Sequence, residues 1–210
     1  MEPQTPVREG YDRWAPTYDA QPNRTRDAAF ARFRAWTPHF AGGRALELGC
    51  GTGLNTEHLA AHAASATALD FSDGMLAQAE RRLAGRGVGF LRHDLAQPLP
   101  FPDGAFDCVV ETLVLEHLPE LASLFAEVRR VLAPEGRFLL SELHPYRQLL
   151  GKQARIDTGD GAPVLVQAYA RRVSDFVNAA LEAGFELLSL DEDQDPSGEP
   201  RLLSLALRRR

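Results

Sequence analysis

Two cysteines, a single lysine and no excess of positive charge bound what this chain can be. Cys50 and Cys108 both sit in apolar stretches. That excludes a disulfide framework, and it makes Cys50 a small loop residue in preference to a nucleophile. The net charge of −6 leaves no basic footprint, so no nucleic-acid partner is expected. No apolar run is long enough to span a bilayer, and no membrane partner is expected. The opening Met1-Glu-Pro-Gln-Thr-Pro6 lacks the basic-then-apolar pattern of a signal, so the expected location is cytoplasmic. Metal-ligand patterns are missing too. His58 and His62 stand one helical turn apart without a third partner. Asp191, Asp193 and Asp195 begin like a calcium loop, but Pro196 occupies its sixth position and Leu202 its twelfth. The expectation is no metal. The 210 residues, 44% apolar, suit one domain with its own core, as a monomer or a homodimer.

What the chain does have is a glycine-rich turn between an apolar run and a helix, Arg44-Ala-Leu-Glu-Leu-Gly-Cys-Gly-Thr-Gly-Leu-Asn-Thr-Glu-His-Leu59. Residues 45–48 read as a buried strand, and a helix opens near Leu54. Between them, Gly49, Gly51 and Gly53 let the backbone approach a ligand closely. The helix N-terminus directs free N–H groups at the same place. A nucleotide-like ligand belongs there. The dinucleotide fingerprint G-x-G-x-x-G would need a glycine at position 54, where Leu54 stands, which counts against a nicotinamide-dependent oxidoreductase.

Downstream, residues 66–69 read as a second strand ending in Asp70, about twenty residues past the glycines, where an acid can accept from both ribose hydroxyls. Phe71 can lie against an adenine ring. Ser72 reads as the N-cap of a helix with the apolar face Met75, Leu76, Ala79 and Leu83. A third strand, 88–92, ends in His93-Asp94-Leu95. Residues 98–107 read as a loop into a fourth strand, 108–110, with Glu111, Thr112 and Leu113 at its carboxyl end. Pro119 is expected to open a helix with the core stripe Leu121, Leu124, Phe125, Val128 and Leu132. A fifth strand follows over 137–143, then a stretch without periodicity, 144–171. Ser174 is expected to cap a last helix that Gly184 stops, ahead of strands at 185–190 and 202–207. Upstream, residues 1–9 read as loose and 25–36 as a docked helix. Alternating strands and helices imply a parallel sheet covered on both faces, with the ligand across the strands' carboxyl ends.

The sequence Glu47-Leu-Gly-Cys-Gly-Thr-Gly53, with Pro100-Phe-Pro-Asp-Gly-Ala-Phe-Asp107 and Val109-Val-Glu-Thr-Leu-Val-Leu-Glu-His-Leu118, resembles the class I S-adenosylmethionine-dependent methyltransferases. The likeness is to small-molecule enzymes such as the ubiquinone/menaquinone and malonyl-carrier-protein methyltransferases, and covers about residues 44–143. It implies an α/β, Rossmann-like, doubly wound sheet of seven strands, the last antiparallel. Tyr11-Asp-Arg-Trp-Ala-Pro-Thr-Tyr-Asp19 is similar to the family's lid. The implied division is a lid segment at 1–40, a cofactor-binding core at 44–143, a substrate cap at 144–171 and a closing helix with two strands at 172–210.

The same resemblance implies S-adenosylmethionine as cofactor, with S-adenosylhomocysteine as product. Its expected contacts are Glu47, Gly49, Cys50, Gly51 and Gly53 in the first turn, then Asp70, Phe71, Met75, Asp94, Leu95, Glu111 and Thr112, with Tyr18 from the lid. Asp94 would accept from the adenine amino group. The acceptor would meet Tyr11, Trp14, Leu113, Tyr146, Arg147 and Arg155. Where amino-methylating DNA and protein enzymes carry N/D-P-P-Y/F, this chain has Glu111-Thr-Leu-Val114, which points to a small metabolite. Candidate general bases are Glu116, His117 and His144. Arg147, Lys152 and Arg155 make an anionic acceptor an expectation. The alternative reading is a protein that binds S-adenosylmethionine without transferring the methyl group.

Overall fold

The alternating patterns of the sequence become alternating elements in the computed structural model, which describes residues 4–156 and 164–210. A two-residue strand β1 (Gln4–Thr5) leads into helix α1 (Val7–Trp14). A 3₁₀ turn at Tyr18–Ala20 precedes α2 (Arg24–Ala35) and α3 (Thr37–Phe40). Then come β2 (Arg44–Leu48), α4 (Leu54–His62), β3 (Ser65–Asp70), α5 (Asp73–Arg82), β4 (Gly89–Arg92) and β5 (Phe106–Thr112). A second 3₁₀ turn, Leu115–His117, leads to α6 (Ala122–Val131) and β6 (Leu132–Leu143). The remainder is α7 (Pro145–Leu149), β7 (Arg155–Ile156), β8 (Val164–Val166), α8 (Val173–Glu182), β9 (Phe185–Gln194) and β10 (Pro200–Arg209).

The main sheet has seven strands in the order β4-β3-β2-β5-β6-β10-β9, with β10 antiparallel to both its neighbours. Strand order reverses between β2 and β5, so a crevice opens at their carboxyl ends. Side-chain alternation sorts the core into two layers. Leu46 and Leu48 join Val109, Phe138, Leu140 and Leu205 against Phe125 of α6 and Phe176 of α8. Ala45, Cys108, Val110 and Leu139 face the other way, against Phe33, Phe40 and Leu59.

Several local expectations are corrected. Residues 4–14 are not loose: β1 pairs in parallel with β8, and β8 with β7, so the N-terminal segment and the insertion share a small sheet. Pro119 does not open α6, which starts at Ala122. The Leu118 carbonyl, which a helix beginning there would use, is taken by the Arg171 guanidinium. Ser174 lies inside α8; the cap is the Asp175 carboxylate, which accepts from the Arg172 N–H at 2.7 Å. The last two strands run on to Gln194 and Arg209; Asp195 in the turn between them is tied down by Arg147 and Arg201, and Asp193 near the end of β9 by Arg32.

Candidate functional site

The turn after β2 is shaped by backbone that only glycine tolerates cheaply. Gly49 has φ +69°, and a Cβ there would lie 2.1 Å from Val114 Cγ2. Gly51 has φ +53°, and a Cβ on it would meet nothing within 4 Å, because it faces open space. The first keeps the turn against the end of β5, and the second leaves its own edge bare for a ligand. Asp70 ends β3 beside them, 9% exposed. Its Oδ2 accepts from Gly51 N at 2.8 Å and its Oδ1 from Ser72 N at 2.9 Å. Burial pushes its carboxyl up, and these N–H groups work against that rise. Each oxygen keeps one lone-pair direction, so the carboxylate can accept two ligand hydroxyls. Ser72 caps α5 as expected, its hydroxyl accepting from Met75 N at 3.1 Å.

A cavity of about 160 Å³ occupies this crevice. Of the expected cofactor contacts, Gly49, Gly51, Asp70, Phe71, Met75, Asp94, Leu95, Thr112 and Tyr18 line it, as do Tyr11, Leu113 and His117. Asp94 is exposed and holds its own turn, Oδ1 accepting from Ala96 N at 2.9 Å. Val7, His93, Ala96, Val114, Leu118 and Pro119 also line the cavity, and none of them was expected as a site residue. They are ordinary apolar and loop residues whose place depends on how α1 and the 3₁₀ turn pack.

The N-terminal segment is fastened by the two acids of its Tyr-Asp pairs. Asp12 Oδ1 accepts from Ser72 Oγ at 2.7 Å and Gly74 N at 3.0 Å, which fixes α1 to the head of α5. Asp19 accepts from Thr52 Oγ1 at 2.8 Å and pairs with Arg82. Tyr11 and Tyr18 are thereby turned inward, with Trp14 packed against both at 5.9 and 4.8 Å between ring centroids. Arg26 lies over the Tyr18 ring at 4.9 Å.

Beyond Tyr11, Tyr18 and Leu113, which serve as walls for both, lies a second cavity of about 330 Å³. Trp14, Glu116, Arg147, Lys152, Arg155 and Arg201 line it, with Gln21, Asn23, Thr25 and Gln153 among the polar remainder. Arg147 is not free to serve a ligand. It pairs with Asp195, lies 3.4 Å from Glu199, and donates to the Pro200 carbonyl at 3.0 Å. Arg201 shares Asp195 at 3.1 Å. Among the described residues, Lys152 and Arg155 have no acidic partner.

The 3₁₀ turn between the cavities carries two of the proposed bases. His117 Nε2 lies 2.8 Å from Tyr11 Oη, and Nδ1 lies 2.7 Å from the Gln167 carbonyl. Glu116 Oε1 is 3.7 Å from His117 Nε2, and Oε2 accepts from Gln148 Nε2 at 3.3 Å. Burial pushes the Glu116 carboxyl up, opposed by His117.

Other expected site residues lie elsewhere. Glu47 points to the α4 side of the sheet, 2% exposed, its Oε2 accepting from Thr56 Oγ1 at 2.6 Å, and burial pushes it up to about 8. Cys50, Gly53 and Glu111 are buried behind the cavity wall; burial also raises the Cys50 thiol, which suits an inert residue. His144 caps α7, its Nδ1 accepting from Tyr146 N at 3.1 Å, and its Nε2 meets Glu192 at 2.7 Å. Neither it nor Tyr146, which is 40% exposed, lines either cavity. Among the described residues no three His, Cys, Asp or Glu side chains cluster as metal ligands would.

A glycine turn and an acid at neighbouring strand ends, over the reversal point of a doubly wound sheet, define a nucleotide-type binding protein with a second chamber alongside. The methyltransferase domain family matches residues 46–140. An uncharacterized methyltransferase of Emericella nidulans is 30% identical, over 87% of this chain and 77% of its own length. A trans-aconitate 2-methyltransferase of Methylobacterium nodulans is 44% identical, over 54% of this chain and 42% of its own. Other curated relatives are matched over less than two thirds of their length. Among solved structures, the DhpI-SAM-HEP complex aligns with a TM-score of 0.75 at 25% identity, covering 97% of this chain and 98% of that one. The chain belongs to the methyltransferase domain family, and it is an S-adenosylmethionine-dependent methyltransferase.

Proposed function

We propose that the first cavity holds S-adenosylmethionine and the second a small, anionic acceptor, with Tyr11, Tyr18 and Leu113 around the passage where the methyl group crosses. The observation that carries this reading is the pair formed by Gly51, whose missing Cβ leaves ligand space, and Asp70, whose two oxygens each retain an acceptor direction. A ribose diol fits that carboxylate, and Phe71, Met75 and Leu95 offer apolar surface to a purine. Together the two cavities fall within the roughly 300–1,000 Å³ typical of small-molecule sites. When bound, the sulfonium supplies an activated methyl group, and its positive charge suits the aromatic faces of Tyr11 and Tyr18. The chain's own residues then orient the acceptor and exclude water, which is what an in-line transfer requires of them.

An anionic acceptor is supported by Lys152 and Arg155 at the second cavity and by trans-aconitate, the substrate in the name of the Methylobacterium relative. The test of the cofactor site is calorimetry with S-adenosylhomocysteine. Asp70→Ala removes two charge-assisted hydrogen bonds worth about 1.5–3 kcal/mol each, and it frees the Gly51 and Ser72 amides. The dissociation constant is expected to rise at least tenfold while the far-UV spectrum is unchanged. Unaltered affinity in the folded variant would refute the placement.

A further inference from the structure

Three elements that are distant in sequence converge on His117. Tyr11 comes from the lid helix α1, Gln167 from the segment after β8, and Glu116 from the same 3₁₀ turn. The contacts also fix the proton inventory. A carbonyl can only accept, so the Nδ1 that lies 2.7 Å from the Gln167 oxygen carries the hydrogen. In the neutral ring Nε2 is then bare, and at 2.8 Å it accepts from the Tyr11 hydroxyl. Burial drives the Tyr11 phenol well above its ordinary range, which keeps that hydroxyl protonated and donating. Its oxygen retains lone pairs, and Tyr11 is a wall of both cavities. Glu116 Oε1 stands 3.7 Å from Nε2, within ion-pair reach of that nitrogen.

We propose that Tyr11, His117 and Glu116 form a proton relay, and that the acceptor is therefore methylated at a hydroxyl oxygen. The inference rests on the placement of the cofactor and acceptor given above. The acceptor O–H bond breaks and its proton passes to the Tyr11 oxygen. The Tyr11 proton moves to His117 Nε2, giving an imidazolium with Gln167 and Glu116 on either side. The acceptor oxygen bonds to the methyl carbon, while the electron pair of the broken carbon–sulfur bond stays on the thioether sulfur. One positive charge leaves the sulfur and one appears on the imidazole, so the site keeps its charge throughout. Arg155 and Lys152, which line the second cavity, complete the acceptor's description: a phenolic or enolic hydroxyl together with a carboxylate or phosphate.

The test has an arm that needs no acceptor. In protein labelled with ¹⁵N-histidine, two-bond proton–nitrogen spectra read the His117 tautomer directly. The proton is expected on Nδ1 in the neutral ring, with the Nε2 shift moving in Tyr11→Phe because a donor is lost. A proton found on Nε2 would overturn the relay, since Tyr11 would then be accepting instead of donating. The second arm follows S-adenosylhomocysteine release from phenolic acids, hydroxy acids and simple carboxylates. Tyr11→Phe and His117→Gln are expected to lower kcat on a hydroxyl acceptor by about 100-fold or more. On an acceptor methylated at an already ionised carboxylate the loss should be at least about tenfold smaller, since no proton has to be removed. Equal losses on both acceptor types, with weakened S-adenosylhomocysteine binding, would make the contact a mere lid latch and end the proposal. Wild-type affinity for S-adenosylhomocysteine, measured in the same series, reports separately on the cofactor site.

Discussion

Glu47 and Asp70 sit on adjacent strands and do opposite things, because Asp70 is the last residue of β3, at the crevice, whereas Glu47 lies inside β2 and points into a packed layer. Leu46 and Leu48 point to the α6 and α8 layer, so Glu47 must point to the other, where Thr56 meets it. Deep burial holds the group protonated to about pH 8 in the folded chain. The unfolded chain releases that proton near the ordinary value of about 4.3. A raised folded-state value means the contribution is fully present below the unfolded pKa and is lost as pH climbs through the folded one. Stability should therefore fall between about pH 5 and pH 8, by at most about 1.4 kcal/mol per pH unit from this group. Glu47→Gln mimics the protonated form and should flatten that slope. Urea unfolding at several pH values measures it, and equal slopes in the two proteins would show that Glu47 is not the titrating group. The motif at 47–53 was readable from the sequence; the direction of the acid was not taken from it, although the alternation was there to be used.

At the scale of elements, the end of β5 is the least regular part of the site. Leu113 has φ +60°, a left-handed conformation that costs a non-glycine residue about 1–2 kcal/mol. Two buried carboxyls hold it there. Glu142 Oε1 accepts from Val114 N at 2.7 Å and Leu115 N at 2.8 Å, and Glu111 Oε1 accepts from Val114 N at 2.8 Å. Burial raises both acids, and their mutual repulsion raises Glu111 further, so the pair retains a proton that separate carboxylates would lose. By the same sign rule, the hold on the turn is complete at low pH and weakens as pH rises through the raised values. Amide exchange at Val114 and Leu115, corrected for intrinsic rates, should speed up with pH relative to the amides of β2. Glu111→Gln keeps an oxygen for Val114 and a donor for Glu142, and should lessen the pH dependence to the part that the burial of Glu142 alone supplies. If the wild-type turn exchanges no faster at high pH, the acids do not control it. The order and type of the central elements were legible because each carries an apolar period and a capping signal. The 3₁₀ turn, the fastenings of α1 and the small sheet joining β1 to β8 were not, since they arise from contacts between residues as far apart as Gln4 and Leu165.

Across the whole molecule, a net charge of −6 conceals a local reversal at the second cavity, where Arg147, Lys152, Arg155 and Arg201 gather. The acidic turn after β9 sorts these cations into two kinds. Asp195 takes Arg147 and Arg201, both largely buried, and ties α7 to the last hairpin. Lys152 and Arg155 are left facing the cavity, with no acidic partner among the described residues. Position in sequence ranked Arg147 with Arg155, whereas the folded chain gives them different work. Arg147→Ala should leave Asp195 to Arg201 alone and lower Tm, whichever acceptor is used. Arg155→Ala should leave Tm and S-adenosylhomocysteine affinity near normal, yet raise KM for a carboxylate or phosphate acceptor about tenfold, equivalent to about 1.4 kcal/mol of pairing energy. Added salt should raise the wild-type KM as well, by screening the same attraction, and should do so less in the variant. An Arg155→Ala enzyme with unchanged KM and unchanged salt response would mean that the acceptor's anionic group, if it has one, is held elsewhere.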